Sequence, residues 1–400
     1  MIYDVVTALF ATTLVAYSLI ALIAVLDYTR PALSIGRAVS VGVALRLLAT
    51  FVIATTAPDL FGPDEQQWLT EARALSQQPL LAHTPLDPQY PLHIWIFSLE
   101  LRFFEFPELT MRIVQIGISV SGLILLAAAV HDIAGARAAT VASWVLLLEP
   151  AGAFFGGLLH KEALMVFSTG LVVFGGVKFW TRQNVQGLGL LLFGCAIGVA
   201  TRPYAGWALT AASAALVVHR GLTRQGDWRR RSLLVAIIVA ALALLSVPTV
   251  LESSEENLET LQNLQDATTS SGANLALEPV TYSSPVDLVL NLPRRSFDLL
   301  VRPFPWQLAN TSQRLGFFGT VTALATLAFL ITALPANAGS IMSRAAPFVY
   351  PALLLFAAYA ISIGDAGTSF RHRAQLVALG MCLVCALRGQ GIENDGVSQK

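Results

Sequence analysis

The chain has 400 residues, of which 55% are hydrophobic and only 12% charged, with a mean hydropathy of +0.65. A soluble domain carries about 25% charged residues, so this composition excludes a single water-soluble core and makes lipid the main solvent. The formal net charge is zero, which argues against nucleic acid as a partner.

A membrane helix needs about 20 mostly apolar residues. Runs of that kind fall at 5–26, 36–57, 112–131, 139–157, 163–180, 187–201, 203–219, 232–250, 316–334, 345–363 and 373–388. The expectation is an all-α polytopic membrane protein with about 11 transmembrane helices and external amphipathic helices, organised as one membrane domain over 1–400. The first run has an acidic flank, Asp4, and no basic segment before it, so it reads as a retained helix rather than a cleaved leader. Cys195, Cys382 and Cys385 all sit inside apolar runs and read as small packing residues, not as a zinc or redox pair.

Lys and Arg in the short connections set the orientation. With the N-terminus outside, Arg30 and Arg37, Arg137, Lys178 and Arg182, Arg220, Arg224 and "RRR" at 229–231, Arg344, then Arg388 and Lys400 all fall on the cytoplasmic side. Two large segments are then external, 58–111 and 252–315. In the first, "YPLHIWIFSLELRFFEF" at 90–106 is apolar but short and carries Glu100, Arg102 and Glu105, so it reads as an interfacial helix. The second starts acidic and ends in "PRRSFDLLVRPFPWQL", a mixture of basic and apolar residues suited to a membrane surface.

Ionisable residues recur at the external ends of helices. "LLHKEAL" carries His160, Lys161 and Glu162, and "ATRPYAGW" sets Arg202 and Tyr204 around a helix start at Pro203. "LPRRSFDLLVRPFPW" carries Arg294, Arg295 and Arg302, and "GTSFRHRAQ" carries Arg371, His372 and Arg373 at the start of the last span. Any one of them could be a snorkelling or capping side chain. As a set on one face they mark a substrate path, and arginine forks and helix N-termini both suit phosphate.

The same face carries adjacent carboxylates, Asp64 and Glu65, in "GPDEQQWLTEARALSQQ". One of them could be a helix N-cap. Neighbouring side chains on a helix diverge by about 100°, so the cap leaves the other for chemistry, and a carboxylate among basic groups can serve as a general base. Trp68, Tyr90, Trp95, Tyr204, Trp207 and Trp306 are candidates to stack on sugar, and equally to form an interfacial belt.

The order of a membrane helix, an external "DE", a helix "W..EARAL", then "PLHIWIFSLELRFFEFPELTMRIVQ" with an apolar helix leading to an arginine, resembles the GT-C superfamily of integral membrane glycosyltransferases. The branch is that of protein O-mannosyltransferases and bacterial lipid A aminoarabinose transferases, and the resemblance spans roughly 40–220. It implies an inverting transfer from a polyprenyl-phosphate-linked sugar. Asp64 would be the base, Glu65 its orienter or alternative, and Lys161, Arg202, Arg371 and Arg373 would hold the donor phosphate. "HKEAL", "TRPY", "RPFPW" and "GTSFRHR" have the flavour of polysaccharide-assembly membrane proteins. They favour a glycan or lipid acceptor in a bacterial cell envelope over a protein, with the site facing the periplasm or exterior.

Two other readings stand beside it. A polymerase or ligase of polyprenyl-diphosphate-linked oligosaccharides would use the same arginines. A lipid-glycan transporter would need ionisable groups at mid-membrane, where Arg46 and Glu149 (before a kinking Pro150) are the main candidates. No cofactor is expected; a divalent metal would have only Asp64, Glu65 and His160 to hold it.

Overall fold

The computed structural model describes residues 2–30, 33–57, 63–80, 83–84, 90–182, 184–223, 277–278, 280, 285–309 and 311–389. The expected span at 232–250, the basic triplet at 229–231 and the acidic half of the second external segment lie outside the described residues. The described residues form thirteen α-helices and no strand. The helices are α1 (Ile2–Thr29), α2 (Gly36–Thr56), α3 (Pro63–Ser76), α4 (Leu92–Phe104), α5 (Glu108–Leu148), α6 (Pro150–Phe155) and α7 (Glu162–Arg182). They continue with α8 (Val185–Thr201), α9 (Pro203–Thr223), α10 (Pro285–Val301), α11 (Thr311–Asn337), α12 (Ile341–Ser362) and α13 (Ala366–Gly389). Seven are long and apolar enough to cross a membrane: α1, α2, α5, α7, α11, α12 and α13. The protein is an integral membrane protein.

The expected runs map onto these helices with one merger. α5 takes in 112–131 and the first part of 139–157, up to Leu148, and α6 holds most of the rest; the 41 residues of α5 would make about 60 Å as one straight helix, twice a bilayer core. It breaks at Gly135, where φ is 83° and ψ 177°, a conformation only glycine adopts at low cost. The two arms then run back on each other. On the first, Ser119 and Ile116 lie beside Gly156 and Gly157, which follow the second arm. The run at 187–201 is the 17-residue α8, shorter than a single span needs.

The chain divides into two compact units, Met1–Gly206 with Arg388–Lys400, and Trp207–Leu387. In the first, α1 runs alongside the first arm of α5 in the same direction. Thr110 donates to Thr7 at one end (3.2 Å), and Arg30 makes a two-pronged bond to Asp132 at the other (2.8 and 2.6 Å). α5 and α7 cross at glycines: a Cβ on Gly122 would stand 2.6 Å from the Val166 carbonyl oxygen. Arg46, fully buried in α2, donates to the carbonyls of Gly42 (3.1 Å) and Leu147 (2.6 Å), which pins α2 to the second arm. Glu149 caps α6, accepting from the amides of Ala151 and Gly152, so Pro150 opens a new helix where a kink was expected.

The first external segment is helical at both ends. α3 buries Leu69, Ala72 and Leu75 against Ile94 and Phe97 of α4, with Phe106, Met111 and Leu159 completing the cluster. Arg102 of α4 donates to the carbonyls of Leu75 (2.9 Å) and Gln78, which places a cation at the C-terminal end of α3.

In the second unit, α10 packs on α11 and α12. It is amphipathic as expected: Arg295, Asp298 and Leu299 are buried, while Val286, Val289, Leu290 and Phe297 are exposed. Cys195 and Cys382 are buried and Cys385 half-buried.

Candidate functional site

The structure brings three of the predicted segments together in the first unit. α3 begins at Pro63, which places Asp64 and Glu65 inside its first turn. Asp64 is therefore not the N-cap that one reading of the sequence allowed; proline takes the first helical position. Glu65, Leu69, Ala72 and Leu75 recur at helical spacing, so Glu65 shares the buried face of α3 while Asp64, turned about 100° away, is half-buried.

Glu65 is saturated. Arg112, in the first turn and a half of α5, makes a two-pronged bond to it at 3.0 and 2.6 Å, and both side chains are almost fully buried. The Leu159 amide donates to Oε1 at 2.7 Å. His160 follows: its Nε2 is 3.6 Å from Glu65 and its Nδ1 3.6 Å from Glu162. Glu162, the first residue of α7, binds Arg202 at 2.6 Å across the break between α8 and α9. The result is a buried chain of alternating groups, Arg112–Glu65–His160–Glu162–Arg202. It ties together α3, α5, the start of α7 and the α8–α9 break. Arg202 takes the extended backbone that a residue before proline favours, which breaks the helix there.

Lys161 lies at the edge of this chain. It is half-buried, and its ammonium stands 5.4 Å from the centre of the Trp68 ring. The rings of His93 and His160 also approach Trp68 edge-on, at 5.0 and 4.8 Å. Trp68 is thus a wall of the site. Tyr204, at the start of α9, is half-buried.

Two residues of this cluster were given no role in the site from the sequence, although one of them, Arg112, ends the pattern that carries the resemblance. Arg112 is the arginine of "TMRIVQ"; its signal was a cation just inside an apolar run, which needs a buried partner. His93 is fully buried on α4, with no hydrogen-bond partner for either ring nitrogen among the described residues. Burial, then the positive charge of Lys161, holds it well below the usual histidine range, so it is neutral. Burial also pushes Glu65 above the usual carboxylate range, against the downward pull of Arg112 and the Leu159 amide.

Glu100 of α4 is buried, and burial pushes it up to about 8. The folded protein therefore holds a proton that the unfolded chain has lost between pH 4.5 and 8. Stability should fall as pH rises across that window, by up to about 1.4 kcal/mol per unit. A Glu100→Gln variant, which mimics the protonated form, should show a flatter thermal-unfolding profile over the same range. An unchanged slope would show that Glu100 does not set it.

The remaining predicted residues belong to the second unit. Arg294 pairs with Glu278, and Arg295 is buried and donates to the Glu278 carbonyl at 3.2 Å. Arg302 binds Asp298 at 3.0 Å. Arg371, His372 and Arg373 do not start a helix as expected: α13 begins at Ala366, because Asp365 accepts the Thr368 amide and recruits the polar segment before them. His372 stacks on Tyr359 at 4.1 Å. Arg373 is fully buried and donates to the carbonyls of Leu300 and Arg302 and to Thr320 at 2.6–3.0 Å. Arg371 is half-buried.

Among the described residues no group of three or more His, Cys, Asp or Glu is placed to hold a metal ion. No curated protein and no solved structure matches the chain. Residues 83–250 match the family model described as dolichyl-phosphate-mannose-protein mannosyltransferase, a stretch that begins after the acid pair and takes in α4 to α9. With the membrane-spanning helices around it, this match supports an integral membrane glycosyltransferase of the GT-C superfamily.

Proposed function

We propose that the protein transfers a sugar from a polyprenyl-phosphate donor to a glycan, lipid or protein acceptor of the bacterial envelope. The transfer occurs on the non-cytoplasmic face with inversion at the anomeric carbon. Asp64 takes the proton from an acceptor hydroxyl as its oxygen attacks that carbon. The bond from the anomeric carbon to the phosphate oxygen breaks, and the lipid phosphate leaves with the electron pair. Lys161 offers the leaving phosphate a cation beside Trp68, whose ring gives the sugar a flat apolar wall.

One observation carries this reading: the two neighbouring acids are sorted by burial. Glu65 already accepts three N–H bonds and is walled off. Asp64 keeps part of its surface. Glu65 therefore orients the first turn of α3, and Asp64 is the group left to act as base.

The leaving group tests it. Purified protein given a lipid-linked sugar and an acceptor should release polyprenyl monophosphate, separable by chromatography from the diphosphate. Release of diphosphate would favour the polymerase or ligase reading. Movement of intact donor across a vesicle membrane without release of either would favour transport.

A further inference from the structure

At the end of the first unit remote from Asp64 stands a second cluster, which the reaction does not use. It surrounds Asp132, twenty residues beyond Arg112 on α5, or about 30 Å along the helix and one bilayer core away. Arg30, at the end of α1, is buried and binds Asp132 with two prongs. Phe174, Lys178 and Arg182 lie four residues apart on one face of α7. The Phe174 ring has Arg30 at 4.9 Å and Lys178 at 4.8 Å from its centre, and Arg182 reaches Asp132 at 4.0 Å. His131 stands 3.6 Å from the same carboxylate. Asp27, on the same helix as Arg30, is exposed and takes no part in it among the described residues.

Three basic side chains thus gather around one carboxylate, which Arg30 holds with two bonds and Arg182 reaches at 4.0 Å. Lys178 is half-buried and makes no ion pair among the described residues. Arg182 is largely exposed, with 56% of its side chain open. One carboxylate does not balance three basic groups, and the excess positive charge repels itself until a further anion joins it. The cluster sits at a membrane boundary, between the ends of packed helices, where the anion at hand is a phospholipid headgroup.

We infer that Lys178 and Arg182, braced by Phe174 and by the Arg30–Asp132 pair, form a binding site for the phosphate of an anionic phospholipid. The site lies in the leaflet opposite the candidate active site. Phosphate oxygens accept from the Lys178 ammonium and the outward edge of the Arg182 guanidinium. The acyl chains lie along the apolar flank of the helices.

The full-length protein would be reconstituted in nanodiscs of phosphatidylcholine with phosphatidylglycerol and exchanged into detergent. Retained lipid is then read by native mass spectrometry. The wild type should retain phosphatidylglycerol in preference to phosphatidylcholine. Arg182→Gln and Lys178→Gln should each lower that affinity about fivefold, and Arg182→Lys, which keeps the charge, should largely preserve it. Arg182 is on the surface, so its variants test the site even if the lysine change disturbs folding. Equal retention by wild type and Arg182→Gln would overturn the proposal. So would displacement of the lipid by inorganic phosphate, which would make this a site for a free anion.

Discussion

An Arg112→Met variant is expected to lose about 3–5 kcal/mol of stability, because it leaves a buried carboxylate without its counter-charge. Glu65 and Arg112 are each no more than 4% exposed, and their two bonds are at 3.0 and 2.6 Å. The pair is not a large net stabiliser when intact, since both ions were stripped of water. Its removal by halves is what costs. Adding Glu65→Gln to Arg112→Met should therefore recover much of the loss, as the neutral amide still accepts the Leu159 N–H and needs no cation. Thermal unfolding in detergent measures both. A single variant as stable as wild type would mean that solvent reaches the pair.

The second large effect concerns rate. Asp64→Asn should lower turnover by about two to four orders of magnitude, the share a positioned general base supplies, with little change in unfolding temperature. Glu65→Gln should do the opposite: it unpairs Arg112, so stability falls, while the base remains and the fraction that folds still turns over. The two substitutions lie one residue apart and differ only in which face of α3 they occupy. If Glu65→Gln abolishes turnover at full stability and Asp64→Asn does not, the roles are reversed.

Much of the fold was legible in the sequence, because lipid leaves only one way to satisfy a backbone, the helix. Nearly every apolar run in the described residues is a helix within a few positions. The exceptions have local causes. A helix break at Gly135 cannot be told from an ordinary short loop by hydropathy. Asp365 extended α13 backwards through "AGTS", which a hydropathy scan leaves outside the span.

The site was legible in part. "DE", "HKE" and "TRP" could be assigned to one face, and the structure joins Glu65, His160, Glu162 and Arg202 of these motifs in one buried chain of contacts, with Asp64 and Lys161 half-buried. The partition between Asp64 and Glu65 was also written in the sequence, in the phase of Leu69, Ala72 and Leu75 along α3. What could not be read was pairing. Nothing in residue type alone says that Arg112, forty-seven residues on, is the partner of Glu65. Nor does it say that Arg373 gives its terminal nitrogens to backbone carbonyls while Arg371 remains half-buried. A guanidinium suits a carbonyl, a carboxylate or a phosphate equally well, and only packing distinguishes them.

The most direct measurement incubates purified wild-type and Asp64→Asn protein with a panel of radiolabelled polyprenyl-phosphate sugars and follows both bound and consumed donor. The wild type should consume at least one donor, and Asp64→Asn should bind that donor but leave it intact. No consumption by the wild type across the panel, or equal consumption by the variant, would contradict this mechanism.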